Sequence, residues 1–105
     1  MNTQQTLLSK KLEQIGREAF EKQEFQPPVT VFCVDPDGDR SIRVAEVIFH
    51  ANADGALSVS GGHVSNAALP PRLVVWISHA NGQLVEVGNL GRSGGDVLSF
   101  EVDIR

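Results

Sequence analysis

The hydrophobic pattern of the chain changes its period at Pro27–Pro28. Before the prolines, apolar residues such as Leu8, Leu12 and Ile15 recur at helical spacing, and from Val29 onward apolar residues tend to alternate with polar ones. A period of 3.6 residues is typical of an amphipathic helix, and a period of two is typical of a strand with one buried face. Proline also disfavours helical conformation in the residue before it. The sequence therefore predicts one N-terminal helix followed only by strands.

The β region, residues 29–105, is predicted to contain six strands, at residues 29–34, 41–51, 56–60, 72–79, 83–87 and 97–104. Three of the connections combine Asp or Asn with Gly, which is typical of hairpin turns: Asp35–Asp39, Asn52–Gly55 and Asn81–Gly82. The connection over residues 61–71 is longer, and loops of that length are often functional. The order of the hairpins within a sheet stays open.

These elements predict an α+β fold, with one domain over residues 1–105. Its amphipathic helix, residues 4–24 within the segment 1–26, packs on a five- to six-stranded antiparallel sheet built from consecutive hairpins. The alternative is a small β-sandwich with an appended N-terminal helix. Gly16 lies inside the helix, where it costs about 1 kcal/mol relative to alanine. Either a strand packs close to the helix axis there, or the glycine is simply tolerated.

Composition excludes several classes of partner. The chain has a net charge of −4, and no stripe of basic residues is present to neutralise phosphates, so we expect no nucleic-acid binding. The longest apolar run, Leu73–Ile77, is far too short to span a membrane. Cys33 is the only cysteine, so no intrachain disulfide can form, which favours a reducing compartment. We expect a cytoplasmic protein without a signal peptide or a membrane anchor.

One local pattern resembles a calcium-binding loop. Asp35, Asp37, Asp39 and Glu46 occupy positions 1, 3, 5 and 12 of such a loop, and Ca²⁺ is held by carboxylate oxygens. Position six, which is normally glycine, is Arg40, and the flanking residues are predicted to be strands. The favoured interpretation is a turn in which the aspartates are solvated or accept hydrogen bonds from backbone N–H groups, and no metal is expected.

Histidine and cysteine residues offer no clear catalytic or zinc site. Three histidines can hold zinc, but His50, His63 and His79 contain no pair at ligand spacing. Cys33 lies between apolar residues of a predicted strand, which favours a buried structural role. An enzyme with a site between helix and sheet, built from His50 or His79 with Glu46 or Glu86, is an alternative.

We therefore expect a non-enzymatic protein–protein interaction or assembly module of the adaptor, immunity or inhibitor type. It would bind another protein or itself, as a homodimer, through a sheet edge and loops, and it would use no cofactor. A metal-binding domain that uses the Asp35–Glu46 loop is the first alternative, and the small enzyme is the second. Trp76 is expected to pack in the core or on a sheet face, with an interface hot spot as the alternative. The candidate partner-contact residues are His63, Val64, Leu69 and Arg92.

Overall fold

A computed structural model describes residues 3–22, 27–64, 70–92 and 100–104. One helix, α1 (Thr3–Lys22), precedes six strands: β1 (Val29–Val34), β2 (Arg43–Ala51), β3 (Leu57–Val64), β4 (Arg72–Ser78), β5 (Leu84–Arg92) and β6 (Phe100–Ile104). All six strands pair in one antiparallel sheet. The predicted α+β class is confirmed. The sandwich alternative is wrong, because the strands belong to a single sheet.

The strand order is β3-β2-β1-β4-β5-β6. Two three-stranded meanders are therefore joined by the pairing of β1 with β4, which runs from Thr30 opposite Ser78 to Val34 opposite Val74. The three predicted hairpins are present, and β5 and β6 also pair. This order places the two most apolar strands, β1 and β4, at the centre of the sheet.

Helix α1 packs over β1, β2 and β3, which form one half of the sheet. Its apolar stripe is buried at Leu8, Leu12, Ile15 and Ala19. The helix comes close to the sheet at Gly16: a β-carbon at this position would be 2.4 Å from Phe49 Cε2 and 3.0 Å from Val31 Cγ2. The close approach of a strand to the helix at Gly16 is confirmed.

Two strands are longer than their sequences predict. β3 extends to Val64 rather than ending at residue 60, and β5 extends to Arg92 rather than ending at residue 87. Both extensions contain glycines, which interrupt the side-chain pattern but still pair through their backbone. Gly62, with φ +139°, lies beside a register shift between β2 and β3. Residues 61–64 therefore belong to the sheet and not to the predicted long loop, of which residues 65–69 lie outside the described part of the chain.

Candidate interaction surface

The sheet has two faces: α1 packs on one, and we call the other the outer face. Successive residues of a strand point to opposite faces, so the register identifies the residues that share the outer face. They form three rows that cross β2, β1, β4 and β5 in that order: Ile48–Thr30–Ser78–Leu84, Glu46–Phe32–Trp76–Glu86, and Arg43–Val34–Val74–Asn89.

The middle of the outer face is apolar. An antiparallel sheet with one solvated face normally presents polar residues there, yet Phe32, Val34, Val74 and Trp76 lie side by side on β1 and β4. Phe32 and Val34 are only 7% and 4% exposed, whereas Val74 and Trp76 are half-buried. Leu84, at the end of a neighbouring row, is 55% exposed. The outer face therefore carries an apolar surface two strands wide, formed by Phe32, Val34, Val74 and Trp76, which we call the apolar strip.

Arg43 covers part of the apolar strip. Its guanidinium lies 4.0 Å from the centre of the Phe32 ring, in the geometry of a cation–π contact. The same guanidinium donates a hydrogen bond of 2.5 Å to Glu46, three residues further along β2. Arg43 thereby covers one side of the Phe32 ring on the outer face.

The turn between β1 and β2 is fixed by its aspartates. The Asp35 carboxylate accepts the N–H of Asp37 at 2.9 Å. The Asp39 carboxylate accepts the hydroxyl of Ser41 at 2.7 Å and its N–H at 3.0 Å, and the Asp39 carbonyl accepts the N–H of Ile42 at 3.0 Å. The Ser41 hydroxyl and N–H together lower the pKa of the Asp39 carboxyl. Of the two roles that the turn interpretation allows, solvation or capping, Asp35 and Asp39 therefore have the capping role.

Arg40 is held at the edge of the apolar strip by this turn. Its Nε donates to the Pro36 carbonyl at 3.2 Å. Two depressions in the outer face meet beside it. The first, of about 220 Å³, is lined by Arg40, Arg72, Val74, Trp76, Glu86 and Asn89, among others. The second, of about 300 Å³, is lined by Phe32, Arg40, Arg43, Trp76 and Leu84, among others.

The charges of these depressions are unevenly compensated. Arg43 is paired with Glu46. Within the described part of the chain, Arg40 and Arg72 form no ion pair; the Arg40 side chain bonds only to the Pro36 carbonyl, and Arg72 is exposed at the start of β4. Two guanidinium groups are thus available beside the indole of Trp76.

Three of the four predicted partner-contact residues lie on described strands. His63 and Val64 lie on β3, an edge strand, where they are opposite Glu46 and Ala45. Arg92 lies at the end of β5, and Leu69 is outside the described residues. β3 and β5 are four strand spacings apart, or about 19 Å. The backbones of His63 and Arg92 are therefore far apart, and the contact role of the four candidate residues stays a prediction.

No metal-ligand cluster is formed by the residues that the structure describes: nowhere do three or more His, Cys, Asp or Glu side chains gather. Of the calcium-loop residues, Asp35 and Asp39 cap backbone groups, Asp37 is exposed, and Glu46 accepts from Arg43 on the outer face. The structure does not bring these four carboxylates to one point.

The residues proposed for an enzyme are also dispersed. His50 on β2 and His79 directly after β4 are separated by β1, so their backbones are about 10 Å apart. On β2, His50 lies four residues after Glu46, or about 13 Å along the strand. His79 lies three residues, or about 10 Å, after Trp76, which is the residue opposite Glu86. Burial raises the pKa of the Cys33 thiol to about 12, which suppresses its nucleophilic thiolate at neutral pH.

Comparison with known proteins gives no relative: no protein-family model matches the chain, and no curated protein or solved structure is significantly similar to it. Among the described residues, no helix combines the length and hydrophobicity needed to cross a membrane.

Three arginines of this surface were missed by sequence reasoning. Arg40, Arg43 and Arg72 come from a turn and from the starts of two strands, so no local motif joins them. Trp76 lines both depressions, which is compatible with the interface hot spot that the sequence offers as an alternative role. The available signal was the continuous apolar run Leu73–Ile77, which supplies apolar side chains to both faces of the sheet.

Proposed function

We propose that this protein is a non-enzymatic protein–protein interaction module that binds its partner through the outer face. The observation that carries the proposal is the apolar strip around Trp76, flanked by arginines, on the side of the sheet that α1 does not cover. The cores of protein interfaces are enriched in aromatic residues and arginine, and their hot spots are most often Trp, Tyr or Arg.

The shape of the surface favours a macromolecular partner over a small molecule. Small-molecule pockets are concave, have volumes of about 300–1,000 Å³ and enclose most of their ligand. The two depressions, of about 220 and 300 Å³, lie at or below the lower end of that range and open onto a broad sheet face. A segment of another protein can cover both depressions at once.

We place the proposed contact on the outer face because the apolar strip and its arginines lie together there. The partner is another protein or a second copy of this chain. The single cysteine, Cys33, is buried and unpaired, which is compatible with a reducing compartment. A cytoplasmic location is accordingly part of the proposal.

Site-specific photo-crosslinking in the source cells tests the proposal. A photoreactive residue at Leu84, which is exposed on the outer face, is expected to give a discrete crosslinked product, either with a partner or as a dimer. Trp76→Ala should reduce its yield at least several-fold, because truncating a hot spot costs about 2 kcal/mol or more.

The matched control carries the photoreactive residue at Gln14, which is exposed on α1. It should give no such product. The proposal is wrong if Gln14 yields the same product as Leu84, or if the Leu84 product is insensitive to Trp76→Ala in a protein that still melts cooperatively.

A further inference from the structure

We infer that the partner presents an acidic peptide segment, in which an apolar side chain covers Trp76 and neighbouring carboxylates bind Arg40 and Arg72. This inference rests on the proposed function and specifies the chemistry of the partner. It follows from the guanidinium groups at the two depressions, from the apolar strip beside these groups, and from the charges around the depressions.

The guanidinium groups indicate what the partner must supply. Arg40 and Arg72 line the same depression, and neither forms an ion pair within the described residues. Guanidinium binds carboxylate through paired, parallel N–H···O bonds. The hydrogen bond from Arg40 Nε to the Pro36 carbonyl restrains this side chain beside the strip, and this reduces the entropy lost when a carboxylate binds.

The apolar residues of the second depression indicate that the partner places an apolar side chain next to its carboxylates. The second depression shares Arg40 and Trp76 with the first and adds Phe32 and Leu84. A side chain of the size of Leu or Phe that enters it would cover Trp76 and the exposed side of Leu84. A residue further along the same segment would then reach Arg72 across the strip.

The surrounding charges argue against a nucleic acid. Glu46 and Glu86 end the row that contains Phe32 and Trp76, so a polyphosphate laid along this row would meet a carboxylate at both ends. The whole chain also has a net charge of −4, and phosphate binding depends on positive charge. A short segment with one or two carboxylates avoids this repulsion.

A second copy of the chain also fits poorly. In a two-fold symmetric dimer the same patch meets itself. Packing two outer faces together would bring Arg40 and Arg72 of both copies into one interface, and among the described residues only Glu86 contributes a carboxylate to the lining of either depression. A segment that brings its own carboxylates balances these charges.

Selection from a displayed library of random dodecapeptides tests the inference. The parent protein is the target, and the Trp76→Ala variant is used to remove peptides that bind elsewhere. Enriched sequences are synthesised with a fluorescent label and titrated by anisotropy against the parent, Arg40→Gln, Arg72→Gln and the control Arg17→Gln. Arg17 is exposed on α1 and pairs with Glu13, far from the outer face.

The expected result is enrichment of Asp or Glu next to Leu, Phe or Trp. Each of Arg40→Gln and Arg72→Gln should raise Kd about fivefold, the upper end expected for an exposed ion pair. Arg17→Gln should leave Kd unchanged. Binding to the parent should weaken with added salt, since exposed charges are screened.

Other outcomes overturn the inference in distinguishable ways. Uncharged peptides that need Trp76 but not the arginines would refute the acidic partner and leave the proposed function standing. A dimer in native mass spectrometry that Trp76→Ala abolishes would do the same. Failure to enrich any peptide would refute the inference, with the crosslinking at Leu84 still deciding the proposed function. Tighter binding of an oligo(dT) strand than of every selected peptide would refute both.

Discussion

Replacing Gly16 with alanine should destabilise the protein, although alanine is the better helix former. The added methyl group would lie 2.4 Å from Phe49 Cε2, 2.7 Å from Phe49 Cζ and 3.0 Å from Val31 Cγ2. Carbon atoms in contact are normally about 3.5–4.0 Å apart. Both Phe49 and Val31 are buried in the core, so the ring or the whole helix must shift by roughly 1 Å.

The magnitude follows from two opposing terms. Overpacking a core costs about 1–3 kcal/mol, and contacts with two atoms of a buried ring favour the upper end. Alanine recovers about 1 kcal/mol of helix propensity relative to glycine. The expected net loss in the free energy of unfolding is about 2 kcal/mol, which corresponds to a Tm lower by about 10 °C for a domain of this size.

Urea denaturation followed by circular dichroism measures this loss, and the fluorescence of Trp76, the only tryptophan, provides a second probe. Gln14→Ala, at an exposed helix position, is the matched control and should change stability by less than about 0.5 kcal/mol. In a Phe49→Leu background the cost of Gly16→Ala should fall substantially, because the clashing ring atoms are gone. A stabilisation by Gly16→Ala of about 1 kcal/mol, as in an exposed helix, would refute the packing of α1 against β2.

Three further predictions concern the sheet and the turn. Gly62→Ala should lower the free energy of unfolding by roughly 3 kcal/mol in urea denaturation, because φ is +139° and the new methyl group would clash with the Glu46 carbonyl. Gly82→Ala, where φ is +89° but the space is open, should lower it by only about 1–2 kcal/mol. The Cys33 pKa is higher in the folded than in the unfolded chain, so its contribution to stability is complete below pH 9 and falls as pH rises towards 12. Between pH 8 and pH 10 the free energy of unfolding of the parent, measured by urea denaturation, should fall by about 1.4 kcal/mol more than that of Cys33→Ala. Equal decreases in the two proteins would contradict the burial of the thiol. The Asp39 carboxyl should titrate below an ordinary aspartate in a carbon-13 NMR titration, so the stability that it contributes is present at neutral pH and lost in acid; Ser41→Ala should move its pKa back up, and an unchanged midpoint would disprove the capping bond.

Much of the fold could be predicted from local sequence. The change of period at Pro27–Pro28 gives the helix and the strands, and the turn sequences give the hairpins. Glycine-rich ends such as residues 61–64 could not be assigned to strands, because glycine has no side chain that reveals the period. The pairing of β1 with β4 could not be predicted either, since it joins strands that are separated in sequence by two others.

The candidate surface was less accessible to sequence reasoning. The aspartates of the turn resemble calcium ligands in their spacing, yet the carboxylates of Asp35 and Asp39 accept hydrogen bonds from backbone N–H groups. The features that build the surface, Arg40, Arg72 and Trp76, meet only because β1 and β4 pair and the turn holds Arg40 beside them. Such a site depends on the pairing of strands that are distant in sequence, and no local sequence motif predicts that pairing.

The indole N–H resonance of Trp76 tests the central claim most directly, because the chain has one tryptophan and it lines both depressions. A nitrogen-15 NMR titration with the tightest selected peptide should shift this resonance and the amides of β1 and β4, with the amides of α1 unchanged. An unchanged indole resonance, with shifts confined to α1 or to the edge strand β3, would show that the outer face is not the binding surface.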